Sequence, residues 1–316
     1  TILRKGRVIY CRTAPIDPRH PFRGDYIRLD YEISHVHTNF LRGKLAELKA
    51  KNQLEKGKKV YAVMRTEGDI ASLDYLTDEK PAGQLFLKGR IESVYYYKTP
   101  IVNVSYGIEA FYVEQNKGRE LERTRIREDA QIPLEMAVAV ARNGTTVLKG
   151  YRWSKLGVGL KLETVTTNLS NTTQRVTLTK SAEFILMNAS KENIGVINNM
   201  ACVSLEQDTL RVWENNPWQW VGKDTTEQFI PSDPDVKILK PGEEIRIKID
   251  LADPQWFVNK EGEKPRTITG ISDWNARFRV IYRAPSIEKC SSLKNASLIW
   301  HGYMMSRAFN GGGRID

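Results

Sequence analysis

The sequence contains few cysteines, few histidines and no long apolar run, and each shortage excludes a class of site or protein. The three cysteines, Cys11, Cys202 and Cys290, are spaced too widely for a CxxC metal or redox motif. The four histidines form no HExxH motif. No stretch approaches the roughly 20 apolar residues of a membrane-spanning helix. We therefore expect no cofactor, no structural metal and no transmembrane helix within these 316 residues.

His35 and His37 form the one histidine pair whose spacing suits a metal. On a strand, residues two apart point to the same side, where two imidazoles would suit zinc or copper. A third ligand from His20 or Asp17 would have to be brought in by folding. We expect surface histidines in a polar loop.

Cys202 and Cys290 leave two interpretations open. Both lie in the second half of the chain, and they would form a disulfide if the protein is exported to an oxidising compartment. Alternatively, all three cysteines are buried as free thiols, which behave as small apolar side chains.

The net charge of +10 is spread along the chain. Lys and Arg number 48 against 38 Asp and Glu, and the two signs are interspersed, as in KGRELERTRIRED over residues 117–129. Nucleic-acid-binding proteins usually gather positive charge in a patch or stripe. We therefore expect no nucleic-acid partner. A weak, salt-sensitive attraction to an anionic envelope surface stays open.

The length and the apolar pattern predict two β-rich domains. A chain of 316 residues exceeds what one hydrophobic core usually serves. Alternating apolar residues predict strands in both halves, and turn signals such as Pro241-Gly242 separate those of the second half. We predict a mainly β protein. Residues 1–154 form a β-rich domain with one or two short helices, and residues 155–316 form an immunoglobulin-like β-sandwich.

The segment PIDPRHPFRGDYIRLDYEIS, residues 15–34, predicts a defined entry into a strand. Its prolines keep the backbone extended. Gly24 permits a turn in which Asp25 accepts backbone hydrogen bonds. From Ile27 to Ile33 the odd-numbered residues are apolar or aromatic and alternate with charged ones. This is the period of a half-buried strand, so we expect those odd-numbered side chains to be hidden from water.

Other parts of the first domain also have clear local patterns. Asn143-Gly144 is a strong hairpin signal. Leu41, Leu45 and Leu48 have helical spacing, and so do Ile108, Phe111 and Tyr112. The patterns predict helices over residues 40–55 and 108–112, and strands over residues 59–66, 72–76, 84–92, 134–142 and 145–153.

RGDYIRLDYEIS contains Gly24, Asp25, Tyr26, Leu29 and Tyr31 at the spacing Gly-Asp-Tyr-x-x-Leu-x-Tyr. It resembles the bacterial cell-envelope family that carries this signature. Two later blocks resemble the same family, GQLFLKGRI and YGIEAFYVEQNKGRELE, over residues 83–91 and 106–122. The resemblance covers residues 1 to about 150. It implies an extracytoplasmic location in the envelope and a membrane anchor before residue 1, which the missing initiator Met fits, and it implies no reaction.

Residues from the three blocks are the candidate binding residues of the first domain. They are Asp25 and Tyr26 from the signature, Lys88 from the second block, and Tyr106 and Glu109 from the third. In the second half, N-x-[ST] at Asn168, PGE at Pro241 and W-x-G at Trp300 resemble, more loosely, immunoglobulin-like envelope modules.

Aromatic clusters supply the remaining candidates. Trp213, Trp218 and Trp220 lie together in VWENNPWQW, and three tyrosines lie together over residues 95–97. Exposed, such rings would bind a carbohydrate or an envelope protein partner. Buried, they would fill a sandwich core or a domain interface. The sequence favours burial.

Two functional hypotheses of different classes follow. The first is a non-catalytic envelope protein, a binding or structural module outside the membrane. The second is an envelope hydrolase, in which Ser34 would be activated by Lys88 or carboxylates near Glu109 would act. Serine–lysine hydrolysis requires a lysine that burial keeps neutral, and no G-x-S-x-G motif is present. The first hypothesis is therefore favoured.

Overall fold

The structure is a computed structural model of the chain. It describes residues 2–13, 26–94, 101–112, 126–127, 130–168, 175–208, 218–271 and 276–316. The predicted fold class is confirmed, because the protein is mainly β, with an N-terminal β domain and a C-terminal β-sandwich. The chain divides into two compact units. The first unit comprises residues 1–126 with 133–154, and the second comprises residues 127–132 with 155–316.

Short helices and strands alternate along the first half of the chain. The helices are α1 (Ile2–Lys5) and α2 (Lys44–Ala50). The strands are β1 (Arg7–Arg12), β2 (Tyr26–Arg28), β3 (His35–His37), β4 (Lys59–Glu67), β5 (Ile70–Thr77), β6 (Phe86–Val94), β7 (Ile101–Ser105), β8 (Ala110–Tyr112), β9 (Ile126–Arg127), β10 (Ala130–Gln131), β11 (Leu134–Val140) and β12 (Thr146–Trp153).

The second half of the chain adds ten strands and one α-helix among the described residues. The strands are β13 (Leu156–Asn168), β14 (Arg175–Asn188), β15 (Ile194–Ile197), β16 (Val203–Gln207), β17 (Gln219–Trp220), β18 (Val236–Leu239), β19 (Glu244–Asp250), β20 (Val258–Asn259), β21 (Phe278–Arg283) and β22 (Tyr303–Met305). The helix is α3 (Ile287–Cys290).

Short 3-10 turns occur in both halves of the chain. They span Glu32–Ser34 and Thr38–Phe40 in the first half, and Met200–Cys202, Asp233–Asp235, Pro254–Trp256, Ile268–Gly270 and Ala296–Leu298 in the second.

An eight-stranded sheet organises the first unit, in the order β12-β11-β1-β5-β4-β6-β7-β3. Neighbours run antiparallel except β1 and β5, which run parallel where Tyr10 faces Ile70. Alternation along the strands gives the sheet an apolar face that carries the main core, with Val60 and Ala62 on β4 and Leu87 and Ile91 on β6. The opposite face of these two strands carries a small cluster of Tyr61, Val63 and Phe86, against which Tyr75 packs.

Three charged residues on adjacent strands form a ladder in the first unit. Arg12 on β1 faces Glu135 on β11, which faces Arg152 on β12. Glu135 is 1% exposed and lies 3.5 Å from Arg12 and 2.7 Å from Arg152. Arg152 also holds the exposed Asp69 through two contacts of 2.6 and 2.7 Å. Because both arginines compensate the buried carboxylate, Glu135 is tolerated inside the unit.

The strand expected at residues 27–33 is shorter than its alternation predicts. β2 ends at Arg28, Tyr31 makes a single bridge to Thr13, and Glu32–Ser34 form a 3-10 turn. The predicted burial is confirmed for Leu29, Tyr31 and Ile33, with Asp30 exposed between them, while the side chain of Ile27 lies outside the described residues. Among the described residues β2 pairs with the three-residue β8 alone, which limits the strand to three residues although burial alternates beyond it.

The predicted helix over residues 108–112 is wrong. Ala110–Tyr112 form strand β8, in which Phe111 faces Ile27 of β2. Three apolar residues fit either a helix or a strand, and pairing with the signature segment decides for the strand. The helix predicted over 40–55 is confirmed in shorter form as α2. Gly43, directly before α2, has a φ of 60°, which lies outside the right-handed helical range. The helix therefore begins at Lys44 and not at residue 40.

The hairpin predicted at Asn143-Gly144 is confirmed between β11 and β12. Gly144 has a φ of 80°, and a Cβ atom at this position would lie 2.4 Å from the ring of Phe86. The Gly144 carbonyl also accepts a hydrogen bond of 2.8 Å from the N–H of Lys88. Glycine is therefore required both for the turn and for the close approach of the hairpin to β6.

The second unit is built on a five-stranded sheet, in the order β19-β14-β13-β10-β9, with a three-stranded sheet β16-β21-β22 and the pairs β15-β18 and β17-β20. Asn188, at the end of β14, is completely buried. Its side-chain nitrogen donates to the carbonyls of Glu192 and Leu239, and its oxygen accepts from the N–H and hydroxyl of Ser190. Although Asn188 belongs to an N-x-[ST] sequence, it is a structural residue whose hydrogen bonds are all satisfied.

All three cysteines are buried free thiols, which corresponds to the second of the two interpretations of the sequence. Burial first, and then the charge of Glu32, raises the pKa of Cys11 to about 12, so this thiol stays protonated at neutral pH. Among the described residues, none of the helices has the length and apolar character to cross a bilayer.

Candidate functional site

Two tyrosines connect the signature block to the third sequence block in both directions. The Tyr31 hydroxyl donates to the carbonyl of Ile108 at 2.8 Å. The Tyr106 hydroxyl donates to the carbonyl of Ile33, also at 2.8 Å. We call this arrangement the tyrosine cross-link. Each hydroxyl thus donates to the backbone carbonyl two residues after the other tyrosine. Both rings lie in the main core of the first unit.

The turn that carries Tyr106 is held by its own neighbours. Gly107 adopts a φ of 78°, and the carboxylate of Glu109 accepts the N–H of Tyr106. The Glu109 carbonyl accepts the N–H of Leu29 at 2.7 Å, and Thr146 donates to the Tyr106 carbonyl at 2.8 Å. Glu109 therefore fixes the turn between β7 and β8 against the signature segment.

The environment of the tyrosine cross-link keeps both hydroxyls protonated. Burial, followed by the negative charges of Cys11 once it is ionised at high pH and of Glu109, raises the pKa of Tyr31 and of Tyr106 well above the usual value near 10. At neutral pH each hydroxyl therefore acts as a hydrogen-bond donor to a backbone carbonyl. In these positions the two side chains stabilise the fold.

Of the other residues singled out from the three blocks, Lys88 is the one whose side chain the structure describes, and it is not part of this arrangement. The Tyr26 backbone lies in β2 opposite Tyr112. Asp25 lies outside the described residues, and so do Trp213 and the tyrosines of 95–97. Lys88 lies on β6 with its side chain exposed, between Leu87 and Gly89 in the chain. The structure thus brings Tyr106 and Glu109 to the signature segment, and it leaves Lys88 in solvent.

Ser34 and Lys88 lack the environment that a serine–lysine hydrolase requires. Lys88 is exposed, whereas such a lysine must be buried to remain neutral. The Ser34 hydroxyl is buried and has no hydrogen-bond partner within the described part of the chain.

Replacing Ser34 with alanine is expected to leave the free energy of unfolding unchanged, or to raise it by up to about 1 kcal/mol. The reason is that the buried hydroxyl has lost its hydrogen bonds to water and has gained none within the protein, so its removal costs no interaction. Urea unfolding followed by tryptophan fluorescence measures the change. A loss of more than about 1 kcal/mol would contradict the unpaired state of this hydroxyl.

His35 and His37 lie on β3 in different surroundings, and the expectation of surface histidines in a polar loop is wrong for His37, which is buried. The half-exposed His35 ring contacts Asn103 at 2.9 Å through Nδ1 and Asp30 at 2.7 Å through Nε2. His37 is buried, which lowers its pKa, and its Nδ1 accepts the N–H of Asn39. The proton of neutral His37 must therefore lie on Nε2, which removes the lone pair that a metal would bind there. The described side chains contain no group of three potential metal ligands.

Trp218 and Trp220, the two tryptophans of VWENNPWQW that the structure describes, pack against neighbouring side chains of the second unit. Trp218 is buried, with Lys260 Nζ 4.9 Å and Arg266 Cζ 5.1 Å from the centre of its ring. The half-exposed Trp220 stacks on the buried Trp256, with ring centroids 5.4 Å apart. The two rings of VWENNPWQW that the structure describes therefore have cationic and aromatic neighbours from β20 and the residues around it, instead of an open platform for a sugar.

A cleft of about 320 Å³ lies at one end of the sheet in the first unit. Lys5, Arg7 and Arg142 line it together with the segment from Gly83 to Phe86. Sequence reasoning missed this group, because Arg7 and Arg142 are 135 positions apart in the numbering and are joined only through the pairing of Arg7 with Val140. A local pattern contains no sign of this pairing.

Comparison with known proteins finds a match for the first part of the chain. Residues 1–150 match the family model described as GDYXXLXY protein. This match supports the resemblance to the signature family over these residues. No curated protein and no solved structure matches the chain significantly.

Proposed function

We propose, from the match of residues 1–150 to the GDYXXLXY family, that the protein is a non-catalytic component of the bacterial cell envelope. In this proposal it is a binding or structural module on the outer side of the membrane, held there by an anchor that precedes residue 1. The second unit, residues 155–316, presents loops to an envelope protein or a carbohydrate. The observation that carries the proposal is the tyrosine cross-link.

The tyrosine cross-link supports a structural role for the blocks that match the family. The hydroxyls of Tyr31 and Tyr106 are both committed to backbone carbonyls in the core. The carboxylate of Glu109 is committed to the backbone N–H of Tyr106. A general acid or base must reach a substrate atom within hydrogen-bond distance. Groups that hold two chain segments together in a core are better suited to fixing a scaffold.

The exposed Lys88 also favours the non-catalytic proposal over the serine–lysine hydrolase. Its side chain lacks the apolar surroundings that activate a lysine base. A scaffold that positions surfaces for a partner requires no such activation.

Protease accessibility in the bacterium that encodes the full-length protein tests the location. The outer permeability barrier of the cells is removed while the cytoplasmic membrane is kept intact, and the cells are then treated with proteinase K. An antibody against residues 155–316 detects the protein. The expected result is degradation before the cells are lysed, while a cytoplasmic control protein stays intact. Protection until lysis would overturn the extracytoplasmic proposal.

A further inference from the structure

The cleft at the end of the first unit's sheet gathers positive charge from three separate chain segments. Lys5 ends α1, Arg7 begins β1, and Arg142 follows β11 at the start of the hairpin. All three side chains are exposed. Within the described part of the chain, none of them makes an ion pair or a side-chain hydrogen bond. Their donors are therefore available to a ligand.

The charge of the described cleft lining is of one sign. Its described residues contribute two guanidinium groups, one ammonium group and the amide of Gln84, with no carboxylate among them. By contrast, Arg152 of the same unit is paired with two acids, Asp69 and Glu135. Positive charges placed together without a compensating acid repel one another, and a bound anion relieves that repulsion.

The size of the cleft and its uncharged walls indicate a ligand larger than an inorganic anion. Its volume of about 320 Å³ is several times that of a phosphate ion and lies within the range of small-molecule sites. Leu85 is partly exposed and supplies apolar surface beside the charged groups, and the buried Phe86 and Val140 lie behind it in the cleft wall. An organic group attached to the anion would have this surface to contact.

We propose that this cleft binds a phosphate monoester, with the phosphoryl group held by Arg7, Arg142 and Lys5 and a small organic group held against Leu85. Arginine presents a planar fork that matches two phosphate oxygens, and lysine adds a mobile point charge. A dianion suits three cations better than a carboxylate does, because it neutralises more of their charge. This site is independent of the proposed envelope location and adds a ligand class to it.

Calorimetric titration of the full chain at low ionic strength tests the site with three probes: glycerol 3-phosphate, inorganic phosphate and acetate. We expect glycerol 3-phosphate to bind at least as tightly as inorganic phosphate, and acetate to bind about tenfold more weakly. Arg7→Gln and Arg142→Gln should each weaken glycerol 3-phosphate binding about tenfold, since each removes charge-assisted hydrogen bonds. The triple variant with Lys5→Gln should show no binding.

A matched triple variant separates the cleft from the general positive charge of the chain. Lys51→Gln, Lys56→Gln and Lys149→Gln remove the same charge from exposed lysines of the first unit that do not line the cleft. This variant should bind within twofold of the parent. An equal loss of binding in both triple variants, or acetate binding as tight as phosphate, would overturn the proposal. Tighter binding of inorganic phosphate than of glycerol 3-phosphate would overturn the monoester and indicate free phosphate as the source. Thermal melting of each variant confirms that it is folded.

Discussion

Replacing Glu135 with alanine is expected to lower the free energy of unfolding of the first unit by about 3 to 5 kcal/mol. Glu135 is the buried centre of the ladder between Arg12 and Arg152. Removing its carboxylate leaves the guanidinium of Arg12, which is 3% exposed, without this compensating charge. A buried charge that loses its partner is far more costly than a surface pair that is broken. Chemical denaturation monitored by circular dichroism measures the loss.

Asp69→Ala is the matched control, because Asp69 contacts the same Arg152 from the solvent side. Its carboxylate is half exposed, and solvent screens its attraction to the guanidinium. The expected loss is below about 1 kcal/mol. Similar losses for Glu135→Ala and Asp69→Ala would show that burial does not govern this network and would contradict the prediction.

The double variant Tyr31→Phe with Tyr106→Phe is expected to lose about 2 to 4 kcal/mol of unfolding free energy. Each single variant should lose about 1 to 2 kcal/mol, because the carbonyls of Ile108 and Ile33 would remain buried without their donors. Phenylalanine keeps the ring and its packing, so the change reports the hydroxyls alone. The measurement is equilibrium unfolding in urea of the parent, both single variants and the double variant.

Tyr75→Phe is the control for the tyrosine cross-link. Its hydroxyl donates to Gln84 at 2.8 Å in an exposed position, where water can replace the lost partner. The expected loss is below about 0.5 kcal/mol. If Tyr31→Phe and Tyr106→Phe were as mild as Tyr75→Phe, the cross-link would not stabilise the scaffold, and the main support for the non-catalytic proposal would be lost.

Sequence reasoning located the elements whose pattern is local. The strands over residues 59–66, 84–92 and 134–142 were predicted from runs of alternating residues and are present with bounds shifted by a few positions. The turn at Asn143-Gly144 was equally clear, because few dipeptides accommodate its backbone. Burial of the odd-numbered residues from Leu29 to Ile33 followed from the same period.

Elements defined by distant partners were not predicted. β1 was missed because its six residues, RVIYCR, contain no clean alternation, and it is a strand through its pairing with β11 and β5. β8 was predicted as a helix because its partner β2 could not be foreseen from residues 108–112. The tyrosine cross-link and the basic cleft depend on the same kind of distant pairing, so the candidate residues were named without their neighbours.

The position of β1 also determines when the first unit can assemble. β1 lies inside the sheet between β5 and β11, and Arg12 meets Glu135 across 123 positions of the chain. The edge of β1 that faces β11 therefore stays unpaired until β11 is available. Sheets closed by such long-range pairing form slowly, because the entropy of a large loop must be lost before the contacts are gained.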